Sequence, residues 1–243
     1  MHRFSWRTFL CWQYLVRFVV LVVGLFFYST GIVFLYRSDF GLDPWDVFHQ
    51  GISFHTPLSF GTASIVVGAA IIILGLCLKV MPGVGTVLNM LLIGAFTDLN
   101  IRLGWLPDLG HTSWVLRVVV NVLGVAIIGM GTALYIAPRM GAGPRDGLML
   151  RLHALTKLRV SIVRTAIECT VLLIGFLLGG TVGLGTLIFA LGIGPAFELS
   201  LTLLKKLHFT NWLERLAATP VKTEIILPPA DDDALQPSYG NPA

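Results

Sequence analysis

Apolar residues run almost unbroken over six stretches of this chain, at 18–36, 60–80, 84–103, 117–137, 160–179 and 184–204. Each approaches the roughly 20 residues that an α-helix needs to cross about 30 Å of hydrocarbon; the third of each set of three does so only with its polar end. The pattern therefore predicts six membrane-spanning helices. The first stretch follows Arg3, Arg7 and Arg17 as a signal peptide would. It is longer than a signal core and no small-residue cleavage pattern follows it, so it reads as the first span. The segment after about Thr219 changes in kind, with Pro228-Pro229, then Asp231, Asp232 and Asp233, then Pro, Ser, Gly and Asn. Such a segment cannot bury apolar surface, and disorder is expected there.

A second pattern lies over the first. Displacing the sequence by 100 positions aligns Arg17–Asn100 with Arg117–Ser200 without a gap. About 20 of the roughly 84 aligned positions are identical, and their type matters more than their number. Gly24, Gly31, Gly41, Pro44, Asp46, Gly75, Gly83, Gly85, Thr86 and Gly94 all recur 100 residues on. Chance identity in apolar sequence would place Leu on Leu; recurring Gly, Pro and Asp mark turns, helix caps and close helix approach. The chain thus divides into an N-terminal segment (1–16), a first three-helix repeat (17–104), a second (114–206) and a tail (207–243).

Charge orients the spans. Basic residues precede span one and follow span six (Lys205, Lys206, Arg215), and Arg139, Arg145, Arg151, Lys157 and Arg159 crowd the middle connection. Segment 37–59 is instead acidic on balance, with Asp39, Asp43 and Asp46 against Arg37. The positive-inside rule then places both termini in the cytoplasm. Three spans per copy is an odd number, so the second copy is expected upside down relative to the first. The expected fold is an all-α membrane protein with two inverted three-helix repeats, each with a short interfacial or re-entrant helix. Inverted repeats are frequent in secondary transporters, whose sites lie near the midplane on interrupted helices.

Three groups of residues could carry chemistry. Gly41-Leu42-Asp43-Pro44-Trp45-Asp46 and Gly141-Ala142-Gly143-Pro144-Arg145-Asp146 read as helix starts, with Pro at the first position and an acid in the first turn. They introduce short helices over 44–54 and 144–155. Each lies on the bilayer surface, its acid complementing the dipole, or re-enters the membrane with its N-terminus toward a polar cavity or anion. Arg164 and Glu168, four apart in span five, share a helix face and can pair. Asp98 and Glu198 stand at matching depth near the ends of spans three and six; Asn89 is polar at mid-span, and Pro195 is expected to interrupt span six. The candidate substrate-binding residues are therefore Asp46, Asp146, Arg145, Arg164, Glu168, Asn89, Asp98 and Glu198.

Composition agrees with lipid as the solvent: 55% of the 243 residues are hydrophobic and 12% charged, with a mean hydropathy of +0.81. The net charge of +4 is spread around the spans, which gives no nucleic-acid footprint. Cys11, Cys77 and Cys169 form no pairing or metal motif and are expected as buried small apolar side chains. Asp43, Asp46 and His49 lack the further His or Cys ligands of a metal site. No phosphate loop, dinucleotide fingerprint, zinc-protease helix or nucleophile elbow occurs, so neither an enzyme nor a cofactor is expected.

The run Gly41–Gly51 (GLDPWDVFHQG), with Leu58-Ser59-Phe60-Gly61-Thr62 and Pro82–Asn89, resembles the YczE-like bacterial membrane proteins, commonly grouped with YitT-type proteins. Gly143–Met149 and Val163–Glu168 are similar to the same family in the second copy, and the likeness covers about residues 17–200. At Asp43 the family pattern usually has Gly. The resemblance implies a multi-pass protein of the bacterial plasma membrane. Two functions fit these observations. One is a secondary transporter or permease for a small molecule or ion, with its site between the repeats. The other is a non-transporting accessory or scaffold protein that uses segment 138–159 and the tail as contact surfaces. The lipid bilayer is the expected partner, and a homo-oligomer is left open.

Overall fold

The structure is a computed structural model that describes residues 12–141, 143–209 and 212–213. The start of the N-terminal segment, with Cys11, and the tail expected to be disordered lie outside those residues. Among the described residues eight helices follow one another: α1 (Trp12–Ser38), α2 (Pro44–His55), α3 (Phe60–Cys77), α4 (Val84–Leu103), α5 (Trp114–Ile136), α6 (Pro144–Thr156), α7 (Val160–Leu177) and α8 (Leu184–Lys206). Six of them, all but α2 and α6, are long and apolar enough to cross a membrane. The shortest of the six, at 18 residues, spans about 27 Å. Helix starts recur at a spacing of 100 at Pro44/Pro144, Phe60/Val160 and Val84/Leu184. The turn glycines before α2 and α6 recur too, Gly41 at φ 126° and Gly141 at φ 134°, in the left-handed region where a side chain would be strained.

α1 and α5 form the central pair and run antiparallel. Cβ atoms built on Gly24 and Gly31 would meet Tyr135 N and Gly124 O at 2.5 and 2.7 Å. Those built on Gly124 and Gly131 would meet Gly31 O and Tyr28 N at 3.0 and 2.5 Å. Contacts in this crossing recur with the two copies exchanged: Gly31 faces Gly124 O and Ile128 N, as Gly131 faces Gly24 O and Tyr28 N. Small residues let the two backbones touch, the usual means of association where lipid gives no hydrophobic drive.

The same exchange holds at the helix ends. Arg17 Nε donates to Pro138 O at 3.0 Å, and Arg117 Nε to Ser38 O at 2.8 Å. Gly85 N donates to Met140 O at 2.9 Å, and Gly185 N to Phe40 O at 2.8 Å. These bonds satisfy carbonyls that the turns after α1 and α5 leave open, a need that is acute where water is scarce. The short helices are exchanged as well: α2 packs on α7 of the other copy, and α6 on α3. Gln50 on α2 accepts from Thr181 N at 2.7 Å, and Arg151 on α6 donates to Leu78 O at 2.7 Å.

One contact breaks the pattern. α3 and α4 pack closely, and Asp98 on α4 caps the start of α3. Its carboxylate accepts from Gly61 N at 2.8 Å, from Thr62 Oγ1 at 3.3 Å and from Ser59 Oγ. In the second copy Glu198 is exposed, and a Cβ on Gly194 would meet nothing within 4 Å, whereas one on Gly94 would lie 2.4 Å from Gly61 O. Ser59 and Thr62 are replaced there by Arg159 and Ile162, which leaves Glu198 without the matching hydroxyls.

Three expectations change. Cys77 and Cys169 are exposed, because they lie on outward helix faces where lipid accommodates a thiol as readily as a core would. α8 continues through Pro195; loss of one backbone hydrogen bond does not interrupt a helix whose other residues remain apolar and helical. The spacing of Leu148, Leu152 and Leu155 predicts one apolar stripe along α6, yet Leu155 is half exposed and only the other two join the core beside Trp45. We predict that Gly94→Ala destabilises the protein by about 1–3 kcal/mol, since its methyl meets backbone on α3. Gly194→Ala, at the same place in the other copy, should be neutral or raise stability slightly. Thermal unfolding in detergent, followed by tryptophan fluorescence, measures both.

Candidate functional site

The N-termini of α2 and α6 approach a common cavity of about 310 Å³ between the two copies. That is near the lower end for small-molecule sites. Its lining is itself paired at 100-residue spacing: Pro44 with Pro144, Trp45 with Arg145, Ser64 with Arg164, Gly68 with Glu168, Asn89 with Phe189 and Ile93 with Ile193. The two copies give the cavity its shape, and the second supplies most of its charge.

Asp43 is the N-cap of α2, its Oδ1 accepting from Trp45 N and Asp46 N, both at 2.8 Å. Asp46, one turn inside, is 1% exposed and lies behind the wall rather than in it. Its Oδ1 is 3.1 Å from Nδ1 of His49, also 1% exposed, whose ring does line the cavity. Asp46 Oδ2 and His49 Nε2 are both buried without a hydrogen-bond partner. On α6, the Asp146 carboxylate bonds back to the Gly143 backbone. The Arg145 guanidinium lies over the Trp45 ring at 4.7 Å, a cation–π contact that joins the two short helices across the cavity.

Outside the six spans, burial raises these carboxylates above their ordinary range. Burial raises Asp43 to about 7, helped by the neighbouring Asp46 charge and opposed by Arg145. Burial raises Asp46 to about 6, again against Arg145, and raises Asp146 against Arg145 and Arg164. His49 is pushed down to about 3 by burial and by Arg145, so its ring is neutral. The Asp46–His49 contact is therefore a hydrogen bond that shares one proton, with no imidazolium in it.

On α7, Arg164 Nε meets Glu168 Oε1 at 2.8 Å as their spacing predicts, with side chains 57% and 34% exposed. Both line the cavity where α7 and α8 stand apart. Of the other expected residues, Asn89 is in the wall near Gly143. Asp98 and Glu198 are outside it, Asp98 spent on the start of α3 and Glu198 exposed. The structure thus brings Arg145, Asp146, Arg164, Glu168 and Asn89 together, with Asp46 one side chain away. It adds Asp43, His49, Trp45 and the edge-to-face pair Tyr28–Tyr135. Sequence reasoning had a signal for His49, three residues after Asp46, and for Asp43 as a cap. It had none for the two tyrosines, which stand among other aromatic residues in apolar spans.

We predict an infrared carbonyl band from un-ionised carboxylic acid near pH 6. Because a raised pKa keeps the proton on below it, the band should fade as pH rises to about 8. It should be weakened in Asp43→Asn. Absence of the band at both values would contradict the burial-driven shifts.

Residues 15–201 match a family model described as a family of unknown function, DUF6198. A Haemophilus influenzae protein named only as uncharacterized is 35% identical over 211 residues, 84% of this chain and 93% of its own. The Bacillus subtilis uncharacterized membrane protein YczE is 34% identical over 191 residues, 78% of this chain and 87% of its own. The B. subtilis protein YyaS is 25% identical over 177 residues. No solved structure matches. With a family model covering most of its length and relatives aligned nearly end to end, the chain belongs to the DUF6198 family of YczE-like membrane proteins.

Proposed function

We propose that the protein is a secondary transporter of the bacterial plasma membrane, its two copies inverted in the bilayer with both termini cytoplasmic. The observation that carries this reading is the cavity between the copies, reached by the N-termini of both short helices and walled by the carboxylates of Asp43, Asp146 and Glu168, two arginines and aromatic rings. The reciprocal, antiparallel contacts of α1 and α5 support the inversion, since a two-fold axis across such a pair lies in the membrane plane. α2 and α6 are then re-entrant helices entering from opposite faces. The buried N-terminal half of α2 (Trp45, Asp46, Val47, His49, Gln50 and Gly51) favours this over a helix lying on the bilayer.

Alternating access follows from the broken contact. In the state described, α3 is held to α4 by Asp98 and Gly61/Gly94, while α7 and α8 stand apart beside the cavity. Exchanging the two arrangements closes α7 on α8 and parts α3 from α4, which opens the cavity toward the other face. The two states use corresponding helices of the two copies, with Arg159 and Ile162 standing where the first copy has the hydroxyls of Ser59 and Thr62. The exposed Arg164–Glu168 pair stands at the open side, where a charge would meet water rather than lipid.

The test is uptake by full-length protein in proteoliposomes incubated with a bacterial small-molecule extract, with washed lumenal contents read by mass spectrometry. The expected result is at least one solute enriched about tenfold or more over protein-free vesicles, and lost in Arg145→Leu and Asp146→Asn protein that remains monodisperse. Equal contents in wild-type and protein-free vesicles would contradict transport.

A further inference from the structure

Two helix N-termini aimed at one cavity would ordinarily suggest an anion. Here both are already occupied by the protein's own acids. Asp43 Oδ1 takes the Trp45 and Asp46 amides, and Asp146 takes the Gly143 backbone. An incoming anion would have to displace a carboxylate at either place.

The charges of the wall lead the other way. Glu168 and Arg164 neutralise each other at 2.8 Å. That leaves Arg145 against Asp43, Asp146 and the adjacent Asp46, three acids to one permanent cation. When all three are ionised the site carries a net charge of −2, and protons or a bound cation must balance it. The remaining groups that face these acids add no fixed charge: His49 on α2 is neutral, and Tyr28 on α1 and Tyr135 on α5 are phenols. Aromatic residues Tyr28, Trp45, Tyr135, Phe189 and Phe197 form much of the wall. One of these rings already accepts a cation on its face, that of Arg145 at 4.7 Å. An aromatic wall with embedded carboxylates suits an organic cation, whose weakly hydrated charge loses little by leaving water.

We propose that the cavity binds a small organic cation, a quaternary or protonated amine, in exchange for protons held by Asp43 and Asp146. This rests on the transport reading for its purpose, but it is tested by binding alone. In the exchange an O–H bond of a carboxylic acid breaks, the proton leaves to water, and the carboxylate balances the arriving charge, with Arg145 keeping one of the three acids ionised throughout. Protons and cation therefore compete for the same carboxylates, and the site cannot hold both at full charge. Burial raises all three acids, Asp43 to about 7 and Asp46 to about 6, so low pH favours the protonated empty site and higher pH favours the cation. The volume, equal to about ten water molecules of liquid, limits the ligand to a compact amine.

The experiment is calorimetric titration of the full-length protein in nanodiscs with tetraethylammonium and phenyltrimethylammonium, near pH 6 and near pH 8, in two buffers of different ionisation heat. The proposal expects about tenfold or greater tightening at the higher pH and release of about one to two protons per cation near neutrality. Asp43→Asn with Asp146→Asn should remove most of the pH dependence and leave only what Asp46 contributes, whereas Glu198→Gln, outside the cavity, should leave binding unchanged. Should the double variant not fold, Trp45→Leu provides the second arm, with binding weakened about fivefold and the proton release intact. The inference is overturned if neither cation binds, if binding is insensitive to pH, or if inorganic phosphate or acetate binds in their place. Anion binding together with solute uptake from the extract would remove the cation class and leave transport standing. Cation binding without any uptake would do the reverse.

Discussion

α1 and α5 touch backbone to backbone along an antiparallel crossing, and the rest of the structure is arranged around that contact. Gly24, Gly31, Gly124 and Gly131 make it, because a side chain at any of them would enter the opposite helix. Once the pair is set, the turn after each helix lies beside the start of the other, and Arg17 and Arg117 close that distance by bonding to opposite carbonyls. The turns in turn aim α2 and α6 inward, each onto a span of the other copy. The cavity is what remains where the two short helices begin. Its position is a consequence of the crossing, since neither copy alone encloses it.

Polar groups show the same dependence. In hydrocarbon an unsatisfied backbone group costs several kcal/mol, so every turn and helix start within the membrane needs an internal partner. Asp43, Asp98 and Asp146 each cap a helix start in this way, yet only two of the three face the cavity. These acids thus serve folding first, and their raised proton affinity follows from the burial that capping requires. Arg145 keeps that cluster from being uniformly neutral, and its stacking on Trp45 holds it between the two copies.

Much of this was legible in the sequence. The residues that recur at 100-position spacing are the ones that shape backbone: Gly41 and Gly141 take positive φ, Pro44 and Pro144 begin helices, and Gly85 and Gly185 donate their amides to the opposite turn. Helix starts at 60, 84, 160 and 184 agree with the apolar runs to the residue. Inside and outside were not legible, because lipid and core are equally apolar and no alternation separates them. Cys77 and Cys169 were misplaced for that reason. The exchange of α2 and α6 between copies was also hidden, since packing partners leave no periodic trace. Asp98 and Glu198 look equivalent in alignment; the hydroxyls of Ser59 and Thr62 and the missing side chain of Gly61, replaced by Arg159, Ile162 and Ser161, separate a helix cap from an exposed acid. Arg17 and Arg117 carried a signal of their own, a charge repeated at the same register, and reading them as topology markers obscured their bonds to the opposite turns.

The central claim is that the two copies are inverted about the cavity, and sidedness tests it most directly. Single cysteines at Thr56, just after α2, and at Lys157, just after α6, in a protein with its native cysteines replaced, can be treated with a membrane-impermeant thiol reagent in intact cells. Inversion predicts that Thr56→Cys is modified from outside, while Lys157→Cys reacts only after the membrane is permeabilised. Modification of both positions from the same face would contradict it.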